Sequence, residues 1–258
     1  MPPPAMTRPT ALGPDGDLLA ALRARMAAPG AGRITPLDHR GRRYWIKRVE
    51  SLPLRWRLQK GNPARSFARE RAALHNLAAR GAPVPPILAE GEDWFALPDC
   101  GETLAAILRR PDPADRAEVF ARAGAALARL HAMGLAHGRP QPRDLCWDGA
   151  QIRLLDFERA GEGRAPAWRR ALDLVQTVHG IYALDLTAGP EVDAFCAGYR
   201  AEDRAGIWAR AVRLCRRLSW LEPLTRPLQW MEARETGRTH AREWQAIRPA
   251  LARLTTAG

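Results

Sequence analysis

Two carboxylates, Asp144 and Asp156, bracket a short pattern in the stretch HGRPQPRDLCWDGAQIRLLDFE, residues 137–158. Between them Leu145-Cys146-Trp147 runs into Asp148-Gly149, a pair suited to the positive φ angles of a primed two-residue turn. Gln151 to Phe157 then reads as the returning strand. A hairpin here brings both carboxylates to one open end, beside the polar loop His137–Asp144, which holds two prolines and two arginines. Such a pair suits a divalent cation carrying phosphates, because Mg²⁺ takes one or two protein carboxylates and leaves its other positions to water and phosphate oxygens. The plainer alternative is that Asp144 caps a loop and Asp156 ends a strand.

Two further charges stand on faces that look apolar. Arg42 to Val49 alternates as a strand, which puts Lys47 on the face of Trp45 and Val49. Pro63 to Arg80 reads as a helix with Asn62 as N-cap and Gly81 as its stop. Its apolar stripe is Phe67, Leu74 and Leu77, and Glu70 falls on that stripe. A buried ammonium and a buried carboxylate each need a partner, so Lys47 and Glu70 are expected to pair. The alternatives are that Lys47 snorkels to an edge and that Glu70 reaches solvent or an arginine.

The chain has 258 residues and a formal charge of +12, with a sequence pI near 10.9. That charge favours phosphate-rich partners. Its cations are uneven, with two lysines, Lys47 and Lys60, against 38 arginines. A coding bias toward arginine accounts for most of this, and it singles out the surviving lysines, since a compact ammonium is not replaced by a planar fork in a tight site. The four cysteines are widely separated, which argues against a zinc site or a disulfide framework. No apolar run reaches membrane-spanning length and the N-terminus lacks a hydrophobic signal core, so a cytoplasmic location is expected.

The elements that must position these residues follow in order. Residues 1–16 are rich in Pro and Gly and read as loosely attached. Asp17–Ala27 forms a short helix. A hairpin turns across Asp38-His39-Arg40-Gly41. Leu52–Gln59 alternates apolar and basic residues, as an edge strand, an arginine-rich surface or a solvated connector. Two short strands lie within Pro83–Leu97, and Pro98–Gly101 is a linker. After residue 101 nearly everything outside the central hairpin is helical. Thr103-Leu104 opens a helix to Arg109. Asp115 and Glu118 form a capping box for a helix to Met133, with Val119, Ala123, Leu127 and Leu130 inward. Trp168–Leu184 turns Leu172, Val175 and Ile181 inward, with Asp173 beside that stripe. Further helices are expected at Glu191–Arg200, Arg204–Leu221, Arg226–Glu235 and Thr239–Leu254. Trp208, Trp220, Trp230 and Trp244 read as core anchors. The expected organisation is α+β: an N-terminal extension over 1–27, a small antiparallel-sheet lobe over 28–100, and a mostly helical lobe over 101–258.

The order of parts resembles the protein-kinase-like fold, in the branch of aminoglycoside phosphotransferases and lipopolysaccharide-core (Kdo and heptose) kinases. The residues that carry the resemblance are Ile46-Lys47, Arg69-Glu70, Leu97–Gly101 (LPDCG), His137–Asp144 (HGRPQPRD), Leu155–Glu158 (LDFE) and Phe195–Tyr199 (FCAGY). It implies ATP and Mg²⁺ as cofactors. Lys47 would bind nucleotide phosphates and be held by Glu70. Backbone groups of Leu97, Asp99 and Cys100 would meet the adenine, and Asp144 and Asp156 would hold the metal. Asp173 would brace the catalytic loop, whose residues His137, Arg139 and Asp144 form the catalytic set. The implied activity is transfer of the ATP γ-phosphate to a hydroxyl of a small molecule or a lipopolysaccharide-type sugar.

Two departures accompany the resemblance. No glycine-rich phosphate loop is evident, since Gly30-Ala31-Gly32 is too short. Arg139 occupies the position where the family places its catalytic Asp, and an arginine does not accept a hydroxyl proton. The alternative is therefore a catalytically impaired pseudokinase that binds nucleotide or a partner and regulates. Arg139 and Arg143 are suited to hold an anionic substrate or phosphate. The basic charge is compatible with peripheral contact at an anionic inner-membrane face. Nucleic acid is not expected as a partner, because no recognised binding motif accompanies the charge.

Overall fold

The computed structural model describes residues 16–49, 63–111, 114–157, 159–160, 163–221 and 240–256. Asn62, Lys60, Leu52–Gln59, the expected helix Arg226–Glu235 and Trp230 lie outside the described residues. The chain divides into two compact units, residues 1–67 with 86–99 and residues 68–85 with 100–258.

The first unit is built on a four-stranded antiparallel sheet. Its strands are β1 (Ile34–His39), β2 (Arg42–Arg48), β3 (Ala89–Glu90) and β4 (Trp94–Pro98), in the order β1-β2-β4-β3. The expected β1–β2 hairpin closes on two residues, with His39 opposite Arg42 and positive φ at both Arg40 (48°) and Gly41 (73°), the pattern that matches strand twist. Pro36 sits in β1, an edge strand, where its missing N–H costs no ladder bond. Alternation then sorts the side chains. Tyr44 and Ile46 join Ala89, Trp94, Ala96 and Leu37 on the face covered by helix α1 (Gly16–Ala27), whose Leu18 and Leu22 are buried there. Lys47 and Trp45 face the other way. Their cross-strand partners are Phe95 and Leu97, and Phe95 stacks on Phe67 with ring centroids 5.1 Å apart.

Helix α2 (Pro63–Ala79) ends at Gly81, whose φ of 73° reverses the chain. Phe67, Leu74 and Leu77 are buried as the stripe predicts, and Glu70 is buried with them. The second unit holds the C-terminal part of α2, a three-stranded antiparallel sheet and six further helices among the described residues. The sheet order is β5-β6-β7, from β5 (Glu102–Thr103), β6 (Leu145–Trp147) and β7 (Ile152–Leu154). The helices are α3 (Leu104–Leu108), α4 (Arg116–Ala132), α5 (Ala167–Leu184), α6 (Gly189–Glu202), α7 (Ile207–Leu218) and α8 (His240–Thr256). Helix α4 packs on α6, and α5 on α7 and α8.

Glycine sets the closest of these packings. A Cβ at Gly124 of α4 would stand 2.0 Å from Phe195 O, and one at Gly198 of α6 would stand 1.9 Å from Ala121 O. The two backbones touch because neither residue has a side chain. The Arg116–Glu191 ion pair, 3.0 Å long and largely buried, ties the same two helices near their N-termini.

Several local expectations are corrected. Asp115 makes no side-chain cap bond; it pairs with Arg110, and Glu118 pairs with Arg122 one turn on. The inward stripe of α5 is Ala171, Leu174, Val178 and Ile181, whereas Leu172 and Val175 are only half-buried. Asp173 itself is 1 % exposed. Trp208 is buried, but Trp220 is 69 % exposed and Trp244 half-buried, so these two are not core anchors. No helix among the described residues is long and apolar enough to cross a membrane.

Candidate active site

The central stretch folds as an antiparallel hairpin, with Leu145 opposite Leu154 and Trp147 opposite Ile152. Its turn is longer than expected. Residues 148–151 form the loop, and Asp148 Oδ1 accepts from the N–H groups of Ala150 (2.9 Å) and Gln151 (2.8 Å). An aspartate bonding its own backbone in this way offers an alternative to a two-residue turn. The second strand stops at Leu154, short of Phe157. Its outer edge is held by Pro83 O, which accepts from Leu154 N–H at 2.7 Å.

Beyond the strands the chain is clamped by Leu155. Its N–H donates to Asp144 O (2.8 Å), and its carbonyl accepts from His137 Nε2 (2.7 Å). The next residue, Asp156, has a φ of 64°. Left-handed backbone at a residue with a Cβ costs about 1–3 kcal/mol and persists where surrounding contacts impose it. Here the contacts are those of Leu155. The Asp156 charge is felt at both Asp144 and His137.

Asp144 does two things at once. Its Oδ2 accepts from Gln141 N–H (3.0 Å) while its own N–H donates to Gln141 O (2.8 Å). It therefore closes the loop, as the plainer reading held. Its carboxyl is also pushed up to about 6, first by burial and then by the Asp156 charge, against opposing pulls from the Gln141 N–H, Arg143 and Arg139. Arg143 Nε stands 3.7 Å from Asp144 Oδ1. Burial and the Asp156 charge together outweigh these two arginines.

The other end of the loop is fixed from below by α5. Asp173 Oδ2 accepts the N–H of His137 (2.6 Å), and Oδ1 that of Gly138 (3.1 Å). The brace expected of Asp173 is therefore present. It extends further than the sequence indicated. His131 Nε2 lies 3.3 Å from the same Oδ2, and its Nδ1 lies 2.6 Å from the Tyr199 hydroxyl. Burial holds the His131 imidazole below its ordinary pKa. A neutral ring that accepts from Tyr199 O–H and donates to Asp173 fits both distances. Arg170 donates to His131 O at 2.7 Å. His131, Tyr199 and Arg170 were not singled out from sequence. The available signal was polar residues recurring on otherwise apolar helix faces.

His137 belongs with the positioning groups. It is 1 % exposed, its Nε2 donates to a backbone carbonyl, and burial lowers its pKa. It holds Leu155, and through it Asp156, and is not placed to exchange protons with solvent. Gly138 has a φ of 98°, and a Cβ there would meet Arg159 O at 2.6 Å. Gly180 of α5 gives similar clearance to Pro142, whose Cδ would lie 2.8 Å from an added Cβ. Pro142 O accepts from Ala105 N–H (3.1 Å). Arg139, half-buried, thus emerges from a segment held on both sides.

The remaining expected residues are distributed over both units. Lys47, Leu97 and Asp99 belong to the first, Glu70 and Cys100 to the second. Asp99 commits its N–H to Arg43 O (3.0 Å) and its carboxylate to the indole N–H of Trp45 (2.7 Å). These two groups serve the sheet.

Comparison with known proteins places this arrangement. An uncharacterized protein of Haemophilus influenzae is 30 % identical over 199 residues, spanning 76 % of this chain and 82 % of its own length. Among solved structures, the bifunctional kinase-methyltransferase WbdD matches 68 % of this chain at 16 % identity and a TM-score of 0.46. The match spans 44 % of that protein's length and is too loose to carry inference. The model of the phosphotransferase enzyme family matches residues 33–192, from the first strand through the pinned loop to the start of α6. By the extent of that match the chain belongs to the phosphotransferase enzyme family, with its kinase-like fold.

Proposed function

We propose that the protein transfers the γ-phosphoryl group of Mg-ATP to a hydroxyl of a small molecule or of a lipopolysaccharide-type sugar. The observation that carries the reading is the placing of Asp144, buried in the pinned loop, within the field of Asp156, which follows the hairpin in a left-handed conformation. A buried carboxyl held back from ionising, with a second carboxylate acting on it, gains from a divalent cation beside it. No cluster of three or more His, Cys, Asp or Glu ligands exists among the described residues. Two carboxylates alone fit Mg²⁺, which is commonly shared between protein and nucleotide phosphates, better than they fit a metal caged by protein.

In this reading Asp144 and Asp156 would hold the ion, which would supply charge neutralisation for the phosphates. Lys47 would contribute a further cation to the phosphates, and backbone of residues 97–100 would meet the base. His137 and Asp173 keep Asp156 and the loop in register. The acceptor oxygen forms a bond to phosphorus as the bond to ADP breaks, and the hydroxyl proton leaves to a phosphate oxygen or water. Such a step depends chiefly on positioning and charge neutralisation.

The test is ADP release over a panel of hydroxyl acceptors. Asp156→Ala and Lys47→Ala are each expected to lower it by about 10²-fold or more. Turnover that survives Asp156→Ala rejects the assignment.

A second reading, nucleotide binding without transfer, is favoured by one feature. Arg139 stands in the pinned loop where a proton acceptor is wanted. Thermal stabilisation by Mg-ATP, abolished by Asp156→Ala but unaccompanied by ADP release over the same panel, would establish it.

A further inference from the structure

The loop that carries Asp144 also carries a cation with no direct counter-charge among the described residues. The backbone before Arg139 is bonded to Asp173, and the proline after it is buried. Pro142 is held by Ala105 N–H and by the bare surface of Gly180. Arg139 cannot withdraw by moving its main chain. Its side chain is half-buried, yet among the described residues it makes no hydrogen bond and no ion pair. Its charge reaches Asp144. Two more arginines border the same loop. Arg143 lies beside Asp144, and the backbone of Arg159 lies against Gly138.

Any hydroxyl that approaches a phosphate held near Asp144 must also enter the field of Arg139. A guanidinium is charged at every relevant pH, and its fork matches a carboxylate or a phosphate in two parallel hydrogen bonds. It repels an ammonium. The nucleotide phosphates already have a divalent ion and Lys47 assigned to them, whereas nothing yet complements an acceptor.

We infer that Arg139 selects the acceptor by binding a carboxylate or phosphate group carried on the same molecule as the hydroxyl that receives the phosphoryl group. This rests on the phosphotransferase reading above. It narrows the acceptor to an anionic hydroxyl compound, such as an acidic or phosphorylated sugar, and disfavours amine-bearing ones. Arg139 is then a specificity residue rather than a failed base, and transfer proceeds without a loop carboxylate at that position.

Calorimetric titration at saturating Mg²⁺ and a non-hydrolysable ATP analogue tests this with matched sugars: glucuronate and glucose 6-phosphate against glucose and glucosamine. The anionic members are expected to bind the wild-type protein roughly tenfold or more tightly than glucose, and glucosamine weakest. Arg139→Ala is expected to erase the preference, and Arg139→Lys to retain part of it, with the nucleotide Kd unchanged in both. Absence of any charge preference overturns the inference, as does a preference that survives Arg139→Ala. Weakened nucleotide binding in Arg139→Ala, with sugar binding intact, also overturns it by assigning the guanidinium to the nucleotide. Failure of the underlying reading shows separately, as no binding of Mg-ATP or as binding indifferent to Asp156→Ala.

Discussion

Asp144 ionises at a cost to the folded chain. Its carboxyl titrates near 6 in the folded protein, against an ordinary value of 3.8. Between those two values the folded state binds more protons than the unfolded state, so stability falls as pH rises from about 4 to about 6 and is level above. A shift of about two units corresponds to roughly 3 kcal/mol at most. Asp144→Asn keeps an acceptor for Gln141 N–H and removes the charge. In urea denaturation of the ligand-free protein at pH 7.5 it is expected to gain about 1–3 kcal/mol, a gain that fades below pH 5, while the thermal response to Mg-ATP is lost. At Asp173 the matter is hydrogen bonding, because three donors converge on its carboxylate. Asp173→Asn presents an amide N–H₂ to some of them, and a buried donor without an acceptor costs about 1–3 kcal/mol. A stability loss of about 3 kcal/mol is expected, with turnover reduced further than the unfolded fraction explains, measured by urea denaturation and ADP release at a temperature where the variant is folded.

At the scale of elements, glycines decide where helices stand. In α4 and α6 the added Cβ of Gly124→Ala or Gly198→Ala meets a backbone carbonyl, which cannot rotate away. Alanine improves helix propensity by about 1 kcal/mol, and overpacking against backbone costs about 1–3 kcal/mol or more. Net destabilisation is therefore expected at both sites, seen as a lower urea midpoint with an unchanged slope. Gly180 differs because its neighbours are a proline ring and the flexible Gln141 side chain. Gly180→Ala is expected to displace the 139–142 loop at little cost in stability. Its signature is a several-fold fall in kcat with a midpoint within about 1 kcal/mol of wild type.

For the whole molecule, a charge of +12 concentrated in arginine makes association with anions sensitive to salt. The Debye length falls from about 10 Å at 0.1 M to about 3 Å at 1 M. The KM for an anionic acceptor is accordingly expected to rise several-fold between about 0.05 and 0.5 M salt, with kcat little changed. Initial rates in potassium chloride measure it. A KM indifferent to salt would mean that the arginines beside the loop do not meet the acceptor.

Sequence alone determined the order and type of most elements. Those are local matters: the Arg40-Gly41 turn, the Gly81 stop, the burial of Phe67, Leu74, Leu77 and Glu70, and the return of the 145–154 hairpin. Each depends on periodicity or on a backbone preference carried by neighbouring residues. Where two local solutions compete, sequence pointed to the wrong one. Asp148 bonds its own backbone instead of shaping a two-residue turn, and Asp115 takes Arg110 instead of the helix end. Of the loop's support, Asp173 was expected from the resemblance alone, and its geometry and its partners were decided by tertiary structure. Asp173, His131 and Tyr199 come from α5, α4 and α6, and they meet because α4 and α6 cross through two glycines. Nothing local to His137 or Gly138 records that a carboxylate from a distant helix holds both of their N–H groups. The same packing leaves Arg139 fixed beside Asp144, and it is this fixity, more than the residue type, that turns an odd arginine into a candidate for choosing the acceptor.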